Sequence, residues 1–412
     1  MTLPARLIVA DPGLRGVMGH HFGYSLAVTT AARARGIAPV LLPSAGFNGA
    51  LPEGIACRPS FTAVYQSAGQ GGALRRLLFG AGSLLPGPLA ACIAPPLRAL
   101  RRAARRPGPD GFAAELAASL IALGGNRADM VLLHTVSASN LAGLGEALAP
   151  GCLGVLAIVL RRTPDDMDRD DAGPQSMAAI LAGLAARFGQ GVRLFADTMP
   201  LCRMWSRLIG LEVTEAPPPV LTLPVREPLP GTPPHLVFAG GARAEKGYAA
   251  LPPLVRSLGG AVRFTIHSGP IGAGDDPIVQ RAHRRLRALA GPGLTLVEAP
   301  LATDEYLALI RAADLLLLPY DPASYGPRSS GILAEARAMG VPAVVPKGCW
   351  MEDAVGPDPR LAFDSAYVFP DAVRRALGDL PTLLGAYGGA APEWRAAHAP
   401  ATLLSRLVGE TP

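Results

Sequence analysis

Short apolar runs, each followed by a loop and then a stretch long enough for a helix, recur along this 412-residue chain. Strands that alternate with helices pair in parallel, because each crossover returns to the same end of the sheet, and the helices then cover both faces. In the first half the order is a strand at Arg6–Ala10, a loop from Asp11 to His21 with Gly13, Gly16 and Gly19, a helix from Phe22 to Arg35, and a strand at Ile37–Leu42. Gly36 stands where a left-handed residue stops a helix. The pattern blurs between residues 50 and 110. It returns at Met130–Leu133, with His134 at the strand end, and again at Val155–Leu160 and Val192–Ala196. After the second of these, Asp165, Asp166, Asp168, Asp170 and Asp171 form an acidic loop.

Eight prolines then fall within the 18 residues Pro217–Pro234. Such a segment reads as a stiff interdomain linker with room for one short strand. Beyond it the alternation restarts, with strands at His235–Ala239, Val262–His267, Leu294–Val297, Leu315–Pro319 and Ala343–Val345. Helices fall near 248–258, 277–290, 303–313 and 329–339. The expected fold is α/β: two doubly wound, Rossmann-like domains facing a central cleft. The expected boundaries are 1–214 for the acceptor-side domain, 215–234 for the proline-rich hinge, 235–390 for the donor domain and 391–412 for a C-terminal helix. In open parallel sheets, ligands bind beyond the carboxyl ends of the strands, so the chemistry belongs in the loops that follow them.

Half the residues are hydrophobic and 17% are charged, which permits large cores and excludes wholesale disorder. Gly and Pro are abundant but have no collagen period. A net charge of +6 over this length gives no reason to invoke nucleic acid. The five cysteines are scattered without zinc-ligand spacing and read as free buried thiols in a reducing cytoplasm. The N-terminal residues lack the pattern of a secretory signal, so the expected location is cytoplasmic. Residues 77–97 carry no charge, but four prolines and three glycines among them argue against a membrane-spanning helix. Arg98, Arg101, Arg102, Arg105 and Arg106 follow at once. Together, 77–106 read either as a loop with a solvated helix face or as a peripheral contact with the inner face of an anionic membrane.

Of 38 cationic residues, only Lys246 and Lys347 are lysine. Each therefore occupies a place where arginine is the default, and each is followed by glycine. Lys246 lies in Gly240-Gly241-Ala242-Arg243-Ala244-Glu245-Lys246-Gly247, directly after a strand. Glycines let the backbone approach an anion, and Arg243 and Lys246 supply positive charge. The loop matches neither the Walker A pattern nor the dinucleotide fingerprint. It reads either as a diphosphate cradle or as a solvated turn with two surface cations. A second candidate is Tyr325-Gly326-Pro327-Arg328-Ser329-Ser330-Gly331. Ser329 or Ser330 would cap the helix that follows, whose free N–H groups suit a phosphate. Gly331 adds no side chain there. Glu335 sits one turn deeper on the same face, where a carboxylate accepts ribose hydroxyls.

The stretch Glu335-Ala336-Arg337-Ala338-Met339-Gly340-Val341-Pro342-Ala343-Val344-Val345 resembles the "EAMACGxPVV" signature of retaining glycosyltransferases of the GT-B fold, family 4 type. The Arg243–Gly247 loop is similar to their "GR…KG" element, and Ala312-Ala313-Asp314 with its strand and Pro319 to their "ADvfvlPS". Glu215–Val220 resembles "viPnGv", and Gly16–Gly36 the N-terminal glycine-loop element. The resemblance implies a nucleotide-diphosphate sugar held by the second domain. Arg243 and Lys246 would act on its diphosphate, Gly240, Gly241, Ser329, Ser330 and Gly331 would line the site, and Glu335 would hold the ribose. No metal or other cofactor is implied, and the acceptor would be a glycan or lipid-linked hydroxyl in cell-surface glycan synthesis. The final helix, Pro400–Val408, would return to the first domain. Pro327 stands where the family usually has a second glutamate, and the chain is instead similar to a subgroup with R-S-S-G.

In the first domain, Gly19 and His20 (with His21) lie on the loop expected to face the cleft, and His134 ends a strand there. Family likeness makes His134 the first-domain catalytic candidate, beside the plainer reading of a strand-end histidine. Asp166-Met167-Asp168 imitates a metal-binding D-x-D and is read as a solvated loop or acceptor contact. Two other functions stay open. One is a nucleotide-sugar epimerase or hydrolase on the same fold, with cleft histidines and carboxylates as acid and base. The other is a non-catalytic nucleotide-sugar binding protein.

Overall fold

The computed structural model describes residues 3–17, 19–62, 111–170, 176–220, 224–226 and 230–410, with the backbone alone at His20 and at 168–170. The strands are β1 (Arg6–Asp11), β2 (Ala38–Pro43), β3 (Ala56–Cys57), β4 (Asp129–Leu133), β5 (Val155–Leu160), β6 (Val192–Ala196) and β7 (Val213–Glu215), then β8 (His235–Phe238), β9 (Arg263–His267), β10 (Leu294–Val297), β11 (Leu315–Leu317), β12 (Ala343–Pro346) and β13 (Ala362–Phe363). They form two sheets, ordered β3-β2-β1-β4-β5-β6-β7 and β10-β9-β8-β11-β12-β13. Every pairing between these strands is parallel. Both sheets reverse winding direction once, beside β1 and β4 and beside β8 and β11, as a doubly wound α/β fold requires.

The strands take this form because both of their faces are covered. Leu7–Ala10, Met130–Leu133, Leu236–Ala239 and Leu315–Leu318 are almost wholly buried, the uninterrupted apolar pattern of a parallel sheet. The chain divides into two units. One holds Met1–Val17, His21–Ala216 and Leu404–Pro412; the other holds Pro217–Leu403 with Met18–His20. The helix Pro400–Val408 therefore ends in the first unit. There Arg35 pairs with Glu410 at 2.8 Å, and Arg193 donates to the Leu407 carbonyl at 3.0 Å.

Helix boundaries differ from the sequence expectations in instructive ways. The first helix runs Gly19–Ala34, starting three residues before Phe22. Its end follows the glycine rule: Gly36 has φ +75°, and Gly36 and Ile37 donate to the carbonyls of Arg33 and Ala32. The acidic run is helix as far as Asp170, in Pro164–Asp170, with Asp165 and Asp166 in its first turn, where the dipole favours them; Asp171 lies outside the described residues. The short edge strands β7, β3 and β13 carry too few residues to show a period. Among the four described cysteines, Cys202 and Cys349 are buried, but Cys57 is exposed and Cys152 half-buried, so burial does not extend to all the thiols.

The described parts of the proline-rich segment are stitched to the second unit. Val220 donates to the His398 carbonyl at 3.0 Å, and Arg226 N–H to the Met339 carbonyl at 2.8 Å. Asp314, at the start of β11, gathers the rest. Its carboxylate pairs with Arg226 and accepts from the N–H groups of Gly231 (2.9 Å) and His235 (2.5 Å). The Ala-Asp motif is thus a structural clamp at the amino end of the sheet. No described helix is long and apolar enough to cross a membrane, and residues 77–97 lie outside the described residues.

Two substitutions test this framework. Asp314→Ala takes the shared carboxylate from a half-buried guanidinium and two N–H groups, and should destabilise the second unit by about 2–4 kcal/mol. Gly247 has φ +66°, and a Cβ there would lie 1.7 Å from the Pro319 carbonyl oxygen. Gly247→Ala should therefore cost at least about 2 kcal/mol. Urea unfolding of each variant reads both effects as lowered midpoints.

Candidate functional site

The loop after β8 and the helix Gly331–Ala338 after β11 flank the point where the second sheet reverses. Gly240 and Gly241 have φ of +95° and +76°, conformations that admit glycine readily and other residues poorly. A Cβ at Gly240 would lie 2.3 Å from Ile332 Cδ1 and 2.9 Å from Lys246 Nζ. The glycine backbone, the lysine ammonium and the first helical turn therefore meet at one place. The loop is held there by Ala242 N–H on the Ser268 carbonyl (2.8 Å) and by Asp321 N–H on the Glu245 carbonyl (2.9 Å).

Lys246 is 8% exposed, and its Nζ donates to the Gly240 carbonyl above the Tyr320 ring. Burial, helped by repulsion from Arg243, pushes its pKa down to about 7 against the pull of Glu245 and Glu335. Arg243 itself is largely exposed, 3.5 Å from Glu245. Ser330 caps the helix, its Oγ accepting from Leu333 N–H at 3.3 Å, and is buried; Ser329 is half-buried. A Cβ on Gly331 would meet no protein atom within 4 Å, so the amide end of the helix is unobstructed there. One turn on, burial lifts Glu335 to about 7, although the Tyr306 hydroxyl and Lys246 favour its carboxylate. Its Oε2 is buried without a hydrogen-bond partner.

The second unit thus brings together Gly240, Gly241, Lys246, Ser330, Gly331 and Glu335, with Arg243 close enough to act on Lys246. A buried ammonium, a free helix start and a carboxylate one turn deeper can hold an anion joined to a hydroxylated group. Three residues complete the arrangement without having been candidates. Arg328 lies over the Tyr325 ring and also bears on Lys246, Tyr306 reaches Glu335 from the helix Thr303–Arg311, and Tyr320 underlies Lys246. Arg328 stands inside the R-S-S-G stretch and was legible. Tyr306 had no local signal, because helix packing alone delivers it.

In the first unit, His134 has no exposed surface. Its Nε2 lies 2.9 Å from Ser25 Oγ and 3.3 Å from Asp11 Oδ2, its Nδ1 lies 3.0 Å from Thr135 Oγ1, and Tyr24 stacks on its ring. Burial drives its pKa down to about 4, so it is neutral at neutral pH. Asp11, at the end of β1, is equally buried, which alone would raise its pKa; His134, His21 and the Gly13 N–H together hold it below the usual carboxylate range. His21 Nδ1 lies 2.9 Å from Asp11, and its side chain is 17% exposed. The histidine of this cluster that reaches the surface is therefore His21. Asp11 and His21 were visible as an acid at a strand end with a histidine ten residues on. Gly19 opens the helix, exposed, with φ +79°; the His20 side chain lies outside the described residues. Among the described residues, no three His, Cys, Asp or Glu side chains are grouped to hold a metal ion.

No protein-family model matches the sequence, and no curated protein does. Solved structures do match. The chain is similar to the trehalose-6-phosphate synthase OtsA, with 14% identity, 99% of this chain and 100% of that chain covered, and a TM-score of 0.64. It is similar to sucrose-phosphate synthase from Thermosynechococcus elongatus, with 14% identity, 98% of each chain covered and a TM-score of 0.62. It is also similar to a UDP-forming α,α-trehalose-phosphate synthase from Burkholderia xenovorans, with 11% identity, 98% of each chain covered and a TM-score of 0.61. At these identities the likeness shows the fold, and the two doubly wound domains expected from the sequence are the ones these proteins share.

If Lys246 binds an anion as its ammonium, affinity for a nucleoside diphosphate should fall between pH 7.5 and 9, by up to about tenfold per pH unit, as the free site loses its proton. Lys246→Arg should abolish that limb. Lys246→Ala should weaken binding about 10- to 100-fold with the fold intact. Calorimetric titration across pH measures all three.

Proposed function

We propose that this chain is a glycosyltransferase that moves a sugar from a nucleotide-diphosphate sugar to an acceptor hydroxyl, with retention. The observation that carries this reading is the meeting of Lys246, the Gly240 backbone and the start of the Gly331 helix, one turn from the half-buried Glu335. Two further features support it. The motif order resembles retaining glycosyltransferases, and the fold is that of synthases described as UDP-forming, as bound to UDP-2-fluoro glucose and as transferring sugar with retention.

On this reading Glu335 accepts the ribose hydroxyls, and Ser329, Ser330, Gly331, Gly240 and Gly241 surround the diphosphate. The bond from the anomeric carbon to the diphosphate oxygen breaks as the acceptor oxygen bonds to that carbon. The acceptor proton passes to the departing phosphate. Negative charge grows on the diphosphate during this step, so Lys246, Arg243 and the helix start stabilise the transition state more than the ground state. The incoming anion also raises the pKa of Lys246, keeping it charged when it is needed. These cations neutralise the leaving group with no metal ion called for. His134 serves as a positioning residue, fixing Asp11 and through it His21.

The acceptor is read more finely as a glycan or lipid-linked hydroxyl in cell-surface glycan synthesis. The setting is the cytoplasm, with peripheral contact at the inner face of the membrane. The support for this is the uncharged run 77–97 beside five arginines, in residues outside the described ones. One structural neighbour is described in complex with glucose-6-phosphate, so sugar phosphates belong in the same acceptor panel.

The test incubates the purified chain with UDP-, GDP- and ADP-sugars, with and without acceptors, and follows nucleoside diphosphate release. Acceptor-dependent release that persists in EDTA is expected. An epimerised or hydrolysed sugar formed from donor alone would replace this reading with the epimerase or hydrolase one, and binding without turnover would leave a binding protein.

A further inference from the structure

Five histidines are buried among the described residues: His134, His235, His267, His283 and His398. Four of them have partners for their ring nitrogens. His134 meets Ser25 and Thr135, His235 the Ala312 carbonyl and Thr265, His283 Tyr248 and Glu298, and His398 the Pro218 carbonyl. His267 is different. It is 9% exposed, and neither ring nitrogen makes a hydrogen bond. The Ala299 backbone bears on its ring without a bond of normal geometry. An imidazole withdrawn from water with both nitrogens unanswered destabilises the fold, unless something other than the chain satisfies it.

Its place indicates what that something is. His267 is the last residue of β9, at the carboxyl end of the sheet and one strand from the Gly240 loop. The residue after it has no polar group to spare: the Ser268 N–H donates to the Val297 carbonyl, its carbonyl accepts from Ala242 and its hydroxyl donates to the Gly269 carbonyl. The His267 ring meets Tyr306 edge-on, 6.4 Å between centroids, and Tyr306 acts electrostatically on Glu335. Lys246 acts electrostatically on both His267 and Glu335. On the proposed reading Lys246 meets the phosphates and Glu335 the ribose, and Tyr306, which bears on Glu335 and packs against His267, carries the order on to His267.

A nucleoside diphosphate has the same sequence of parts: diphosphate, ribose, base. We infer that His267 hydrogen-bonds the base of the donor nucleotide and sets which base the second unit accepts, with Tyr306 beside it. This rests on the function proposed above. Burial lowers the ring's pKa and so favours its neutral form, which offers one N–H and one lone pair to a heterocycle edge.

The experiment is calorimetric titration of the full chain with UDP, GDP, ADP and inorganic pyrophosphate. The variants are His267→Ala, His267→Gln and His267→Phe; the last keeps a ring against Tyr306 should the alanine variant not fold. His267→Ala or His267→Phe should weaken the preferred nucleoside diphosphate about 5- to 30-fold and shrink its margin over the other two, leaving pyrophosphate unchanged. The glutamine variant should recover part of the margin. An unchanged margin, or an equal loss for pyrophosphate, would overturn the inference while the proposed function stood. A wild-type chain that binds none of these ligands would instead overturn the proposed function, and the inference with it.

Discussion

An ammonium removed from water is among the costlier objects a protein can contain, and the second unit is arranged around one. Lys246 is tolerated because the Gly240 carbonyl accepts from it, the Tyr320 ring lies beneath it and Glu335 supplies a partial counter-charge. That geometry requires Gly240 and Gly241 at positive φ, and it requires Gly247, because the loop passes too close to Pro319 for any side chain. The clamp of Asp314 on Arg226, Gly231 and His235 secures the opposite end of the same sheet. Loop and clamp together hold a charge poised near its pKa, which is where an anion has the most leverage over its protonation.

The first unit follows the same positional rule with different chemistry. Its buried acid, Asp11, sits at the end of β1, beside the reversal in its own sheet, as the Gly240 loop does in the other. Burial there is resolved by neutralising one histidine and hydrogen-bonding a second, so His134 is locked inside the unit and His21 carries the polar surface. Two sheets of one topology thus present unlike groups: a buried lysine beside a helix start in one, an acid–histidine cluster in the other.

Much of this was legible because it is local. The strand runs, the Gly36 stop, the Ser330 cap and the rarity of lysine are properties of a few adjacent residues. They put the Lys246 loop after a strand and the Glu335 helix after a serine cap, as the structure has them. Less legible was whatever depends on length or on distant partners. Edge strands of two or three residues show no period, and the acidic run looked like a loop because charge masks its helical start.

Residue order alone determined the alternation of strand and helix, hence the parallel sheets, hence the loops that carry the candidate site. Backbone geometry and apolar spacing act between near neighbours, so they are written in the order itself. Tertiary structure decided which polar groups become buried and with whom: that Glu335 and Lys246 share one environment, that His134 is enclosed while His21 is not, and that His267 is left without a partner. Burial is a sum over atoms from several elements, and its effect on a charge depends on groups far away in the chain, so no stretch of sequence contains it.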